Sequence, residues 1–317
     1  SMSNIAKGNY SQRIFKLKNF IGFEHFDELH IGRDFLGDGS PLIINSYPSA
    51  RRIVYGDGLG MLFFKSDFNK TNKTIKLSKI LTAIIFVIKK LIHLLFLGSP
   101  KKYNFDDAVL VLPIDFSGIG LNQINLHVPD KSFVIENFKK INYLLFENLQ
   151  LNETSSNKTE SCFLILMANF SVARFMSQKN EIALYVEIIR STVPKGSLIY
   201  LKRHPRDSHE VILEVKKELL EYQLVIDHND LEYYPVEFWF TLLKKCSFVP
   251  IFSSSAINVK YLFDIDPIFT LDENLIRKYF NQNSIEFILK NNRMIIESVN
   301  TIDQWDGQSP LWSGTSS

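Results

Sequence analysis

Three short stretches of the chain place side chains of the kind that move protons or hold anions. In LKRHPRD, Leu201 to Asp207, His204 stands before a proline with Lys202, Arg203 and Arg206 around it. An imidazole in that company suits a hydrogen-bond or proton donor to a phosphate. In FSSSA, Ser253, Ser254 and Ser255 precede an apolar helical pattern. Hydroxyls there can cap the helix, or join its free N–H groups and dipole in holding an anion. In GDG, Gly56 to Gly58, Asp57 offers a carboxylate that can take a proton from a hydroxyl. Taken singly, each has an ordinary structural explanation: a turn for GDG, which recurs at Gly37–Asp38–Gly39, a loop tip for the histidine, and an N-cap for the serines. What they share is position, because each falls at the end of an expected strand.

The elements that would position them are clearest in the second half. Apolar runs at 162–168, 197–205, 223–228, 247–255 and 266–271 read as strands, and the stretches 181–193, 210–222, 235–246 and 256–263 read as helices. Strands alternating with helices at this spacing imply βαβ units on a parallel sheet, whose ligands bind beyond the carboxyl ends of the strands. The first half offers strands at PLIINS (41–46) and RRIVYGDG (51–58), and in DDAVLVLPIDFSGIG (106–120) a buried strand ending in a Gly-containing loop. The polar run 148–161 is the best linker, which divides the chain into domains at 1–155 and 156–317. Between Lys65 and Lys102 nine lysines face a single acid, Asp67. The apolar run within that region, 79–98, is broken by Lys89 and Lys90 and is too short to span a bilayer. It reads as a basic amphipathic helix, placed either on an anionic membrane surface or in the core with its lysines snorkelling.

Composition narrows the classes. A net charge of +2 gives no case for a nucleic-acid partner, and 45% hydrophobic residues supply a sizeable core. Cys162 and Cys246 lack metal-ligand spacing and are expected to be buried, reduced thiols of a cytosolic protein. The opening residues show no secretory pattern, which points to a cytoplasmic protein, peripheral on the inner membrane if the basic helix binds it.

The order Asp57–Gly58, Lys202–Arg203–His204–Pro205 and Ser253–Ser255, with YPVEFW (234–239) before the serines, resembles the bacterial sialyltransferases and is most similar to the capsule polysialyltransferase-like group. The likeness is strongest over 160–272. It implies an α/β protein of GT-B fold, with two Rossmann-like domains whose parallel sheets face a central cleft. It also implies a metal-independent, inverting transfer of sialic acid from CMP-sialic acid to a hydroxyl of a surface glycan, with no cofactor. By resemblance, Asp57 would be the base and His204 the donor to the CMP phosphate, with Gly58 and Pro205 completing their motifs. Ser253, Ser254 and Ser255 would hold the phosphate, Lys202 the cytosine and Glu237 the ribose hydroxyls. Two departures stand out. Gly56 occupies a position where the family usually has an acid, and the few residues before Asp57 imply a reduced or truncated first domain. The alternatives are a transferase of a Kdo-like CMP-sugar, or an inactive scaffold that binds a nucleotide-sugar or glycan.

Overall fold

The computed structural model describes residues 10–22, 25–31, 39–56, 106–112, 125–149, 161–226 and 233–304. They fall into two compact units, Ser1–Pro129 with Pro310–Ser317, and Asp130–Ser309. Asp57, Gly58 and the basic helix expected at 79–98 lie outside the described residues, as does most of the expected linker.

The first unit runs α1 (Tyr10–Ile21), β1 (Glu28–Ile31), α2 (Gly39–Ser46), β2 (Arg51–Gly56), β3 (Asp107–Leu110) and β4 (Asn125–His127). Its sheet has the order β1-β2-β3-β4, and every pair is parallel. Leu29, Ile31, Ile53, Val54, Ala108 and Leu110 are buried apolar residues of its strands. One polar group is buried among them. Asp107 accepts from Arg51 Nε at 2.6 Å and Nη2 at 2.8 Å, and lies 3.1 Å from His127 Nε2. A single carboxylate thus ties three neighbouring strands. The Arg51 hydrogen bonds, helped by His127, hold it down at about 2.

PLIINS is a helix, not the expected strand. Six apolar-rich residues fit either element. Pro41 sits in the helix's first turn, where a missing N–H costs nothing, and Ser46 Oγ donates back to the Leu42 carbonyl at 2.7 Å.

The second unit begins with α3 (Lys131–Leu149), ahead of the division expected near residue 155. This helix packs on residues far along the chain. Phe138 meets Phe238 edge-on at 5.2 Å, Lys139 lies over the Phe240 ring, and Asn142 Oδ1 accepts from Thr241. There follow β5 (Cys162–Leu166), α4 (Gln178–Thr192), β6 (Leu198–Lys202), α5 (His209–Glu218) and β7 (Gln223–Ile226). A 3₁₀ turn (Val236–Trp239) leads into α6 (Phe240–Lys245), β8 (Ser247–Pro250), α7 (Ser255–Phe263), α8 (Glu273–Tyr279) and α9 (Ile285–Asp303). The sheet order is β7-β6-β5-β8, again all parallel.

Alternation along β5 assigns the two faces. Phe163 and Ile165 join Leu184 and Ile188 of α4, Val211 and Val215 of α5, and Ile288 of α9. Leu164 and Leu166 join Trp239, Leu243 of α6, Phe248 of β8 and Val259 of α7. The result is a mixed α/β unit with a parallel sheet covered on both faces, compatible with a Rossmann-like fold. No helix among the described residues is long and apolar enough to cross a membrane.

Two further expectations are corrected here. The expected strand at 266–271 reduces to one bridge between Pro267 and Phe248, with Ile268 N–H donating to the Phe248 carbonyl at 2.8 Å. Pro267 has no N–H to extend the ladder. The cysteines are not free thiols, because Cys162 and Cys246 form a disulfide. Phe163 pairs with Ser247, so the cysteines immediately before them face each other across adjoining strands, with Cα atoms 4.5 Å apart. A separation of 84 residues hides that proximity from the sequence.

Candidate functional site

Leu166 pairs with Lys202 on one side and Pro250 on the other, so β6, β5 and β8 end in one row. Strands lie about 4.8 Å apart, which brings the segments after β6 and β8 off the sheet roughly 10 Å from each other. The chain steps outward from β5 to β7 and then returns to the other side of β5 as β8. That reversal, between β5 and β8, is where open parallel sheets bind ligands.

The segment after β6 is a tight turn built around the histidine. Asp207 N–H donates to the His204 carbonyl at 2.9 Å, and Pro205 takes the turn position for which its fixed φ is suited. The Arg206 N–H donates to His204 Nδ1 at 3.1 Å. With Nδ1 accepting, the proton of the neutral ring belongs on Nε2, which is left as an outward donor. Burial first, and then Arg206, Lys202 and Arg203, hold the imidazole below its usual range. His204 is therefore a neutral donor near neutral pH. Arg206 is exposed in the turn, and His209 is exposed at the first position of α5.

After β8 the backbone takes a left-handed step at Phe252, with φ 55°. A bulky residue rarely adopts this conformation, and such departures gather at functional loops. The step delivers the three serines to the start of α7. Ser253 Oγ accepts from Ser255 N–H at 3.3 Å, while Ser254, at the N-cap, makes no side-chain cap hydrogen bond. The capping explanation therefore applies to Ser253 and leaves the hydroxyl of Ser254 uncommitted to the helix.

Lys202, buried at the end of β6, sets its ammonium 5.5 Å from the centre of the Trp239 ring. A cation over an indole face is attracted by the ring quadrupole, which offsets part of the cost of burial. Glu237, two residues before Trp239, is buried and accepts from Asn258 Nδ2 at 2.9 Å.

Behind the site lies a group that sequence reasoning missed. Glu181, on the first turn of α4, is fully buried and accepts from the N–H groups of Phe170 and Ser171 and from the Tyr185 hydroxyl. It anchors the loop that leaves β5, in which Arg174 is a second left-handed residue. Asp207 is buried nearby, and burial and the charge of Glu181 push its carboxyl up to about 7. Its Oδ1 accepts from Ser208 N–H, its carbonyl accepts from Arg203 Nη1, and its Oδ2 has no hydrogen-bond partner among the described residues. Trp239 and Asn258 were missed as well. Nothing marks an asparagine on an apolar helix until the fold brings a carboxylate against it.

The structure thus brings Lys202, His204, Pro205 and Ser253–Ser255 to one edge of one sheet, with Glu237 on the 3₁₀ turn that precedes α6. Asp57 and Gly58 follow directly after β2 of the first unit and are outside the described residues. Among the described residues no three His, Cys, Asp or Glu side chains are grouped as metal ligands.

A search of curated proteins finds no match. The model of one family, alpha-2,8-polysialyltransferase (POLYST), matches residues 43–272, which take in the strand before Asp57, the histidine turn and the serine loop. A match over that much of the chain shows the family: the protein belongs to the alpha-2,8-polysialyltransferase family and is a sialyltransferase.

Proposed function

We propose that the chain moves sialic acid, or a related nonulosonic acid, from a CMP-activated donor to a hydroxyl of a bacterial surface glycan, with inversion and without a metal. The observation that carries this reading is the placing of His204, whose Nε2 is free to donate, and the serine-lined N-terminus of α7 on the loops after β6 and β8, either side of β5 at one end of one sheet. Two parallel four-stranded sheets, one in each unit, support a GT-B enzyme, with the second unit as the donor side.

The acceptor oxygen attacks the anomeric carbon of the sialyl group as the bond to the phosphate oxygen breaks. The electron pair of that bond leaves with CMP, and the acceptor's proton passes to Asp57. The negative charge developing on the phosphate is met by His204 Nε2–H and by the hydroxyls of Ser254 and Ser255. The dipole of α7 adds to this stabilisation. A single displacement inverts the anomeric centre. Lys202 would hold the cytosine, and Glu237 the ribose. The lysine-rich segment 70–102 would give peripheral contact with anionic lipid headgroups.

Titration with CMP tests the donor site directly. Wild type should bind, and His204→Ala and the Ser254→Ala/Ser255→Ala pair should each weaken binding by about tenfold or more, the scale of a lost hydrogen bond to a charged group. Sialyl transfer by His204→Ala should fall by about 10²–10³. Absence of CMP binding by the wild type would sink the donor-site assignment. A second reading rests on Gly56, which ends β2 where the family usually carries an acid. A chain that binds CMP-sialic acid, yet releases no CMP with or without acceptor, would be a binding scaffold. Faster CMP release from a Kdo-like donor than from CMP-sialic acid would change the sugar and keep the mechanism.

A further inference from the structure

The contact between Asn258 and Glu237 is unusual for its surroundings. The other buried residues of α7 include Ala256, Ile257, Val259 and Leu262, so an apolar side chain would suit position 258. Asn258 is instead 8% exposed, Glu237 is 5% exposed, and the two are joined by a 2.9 Å hydrogen bond from Nδ2 to Oε1. A carboxylate accepts and cannot donate, so only the NH₂ end of the amide can face it. That fixes the amide's orientation and turns Oδ1 away, and Oδ1 is indeed left buried without a hydrogen-bond partner. A buried acceptor without a partner is costly, and few are kept in native proteins. Two residues beyond Glu237, the Trp239 indole N–H is also buried without a partner, while Lys202 lies over its ring. The fold gains nothing from either orphan.

Asn258 stands four residues after Ser254, on the same face of α7 and just over one turn, about 6 Å, further along it. The helix whose first turn meets the donor phosphate therefore also carries the group that fixes the Glu237 carboxylate. We propose that Asn258 is a positioning residue. It locks Glu237 to the phosphate-binding helix, so that the carboxylate meets the ribose hydroxyls of a cytidine nucleotide only when the phosphate is seated at the helix N-terminus. The proposal rests on the donor-site reading given above. It adds a residue, and it adds a coupling between the two halves of the nucleotide.

The test compares CMP with 2′-deoxy-CMP on the intact chain by calorimetry, for wild type, Asn258→Leu and Asn258→Asp. Wild type should prefer CMP by about tenfold, the scale of one charge-assisted hydrogen bond. Asn258→Leu should lose most of that preference while binding 2′-deoxy-CMP as the wild type does. Asn258→Asp sets a second carboxyl against Glu237. It should discriminate poorly at pH 8 and regain the preference in acid, when one of the two carries a proton and can donate. If Asn258→Leu weakens both nucleotides equally and keeps their ratio, the residue is structural and the positioning role is overturned. If wild type binds both equally, Glu237 does not read the ribose and the inference falls, while the histidine and serine phosphate site stands. If wild type binds neither nucleotide, the donor-site reading itself fails.

Discussion

Asp207 closes the turn that His204 opens, and its carboxyl is buried beside the carboxylate of Glu181. Its folded value of about 7 lies above the ordinary 3.8, so the native state holds a proton that the unfolded state has released. This contribution to stability is complete below about pH 4 and is lost as the pH rises through about 7. Asp207→Asn keeps an acceptor for Ser208 N–H and removes the titration. The variant should exceed wild type by about 1–3 kcal/mol in urea unfolding at pH 8, and the gap should close as the pH falls to about 4. A gap that does not change with pH would remove Asp207 as the titrating group. The residues legible in the sequence were those marked by their neighbours: His204 by its proline and cations, and the serines by the apolar helix they precede. Glu181, Asp207 and Asn258 were not legible. Their chemistry comes from burial beside groups that the chain reaches only by folding.

At the scale of elements, the strands β2, β3, β5, β6, β7 and β8 were legible because each is a short apolar run bounded by charge or turn residues. The two failures, PLIINS and the stretch 266–271, have one cause. Apolar character specifies burial but not period, and a single proline changes what the backbone can donate. Helix α3, absent from the expected elements, earns its place by packing on Phe238, Phe240 and Thr241 rather than by any sharp pattern of its own. In the first unit the decisive link is Asp107, which reaches Arg51 on β2 and His127 on β4. A carboxyl held at about 2 supplies stability above pH 4 that disappears as the pH falls through about 2. Asp107→Asn should lower the stability of the first unit at pH 7 and flatten its acid-unfolding curve between about pH 4 and 2. Circular dichroism during acid titration would show both effects, and an unchanged curve would assign that window to other carboxylates.

For the whole molecule, the disulfide and the site stand at opposite ends of the same strands. Cys162 opens β5 and Leu166 closes it, roughly 13 Å further on at 3.3 Å per residue. Reduction should therefore lower the unfolding free energy by about 2–4 kcal/mol and leave CMP affinity unchanged. Urea unfolding and nucleotide titration with and without reductant would check this, and a loss of affinity on reduction would show that the bond shapes the site after all. Family and catalytic class were legible at this scale through the order of three motifs, whereas the pairing of the cysteines was not. The strand order also sets a schedule for synthesis. β5 is central, but its partner on one side, β8, is the last strand made. A chain leaving the ribosome carries β5, β6 and β7 while the far edge of β5, with Phe163 to Leu166 all apolar, still waits for Ser247 to Pro250. A premature stop between Ile226 and Ser247 would therefore not yield a smaller working domain. It would leave the most apolar strand of the sheet at an open rim, ready to pair with whatever other chain is nearest.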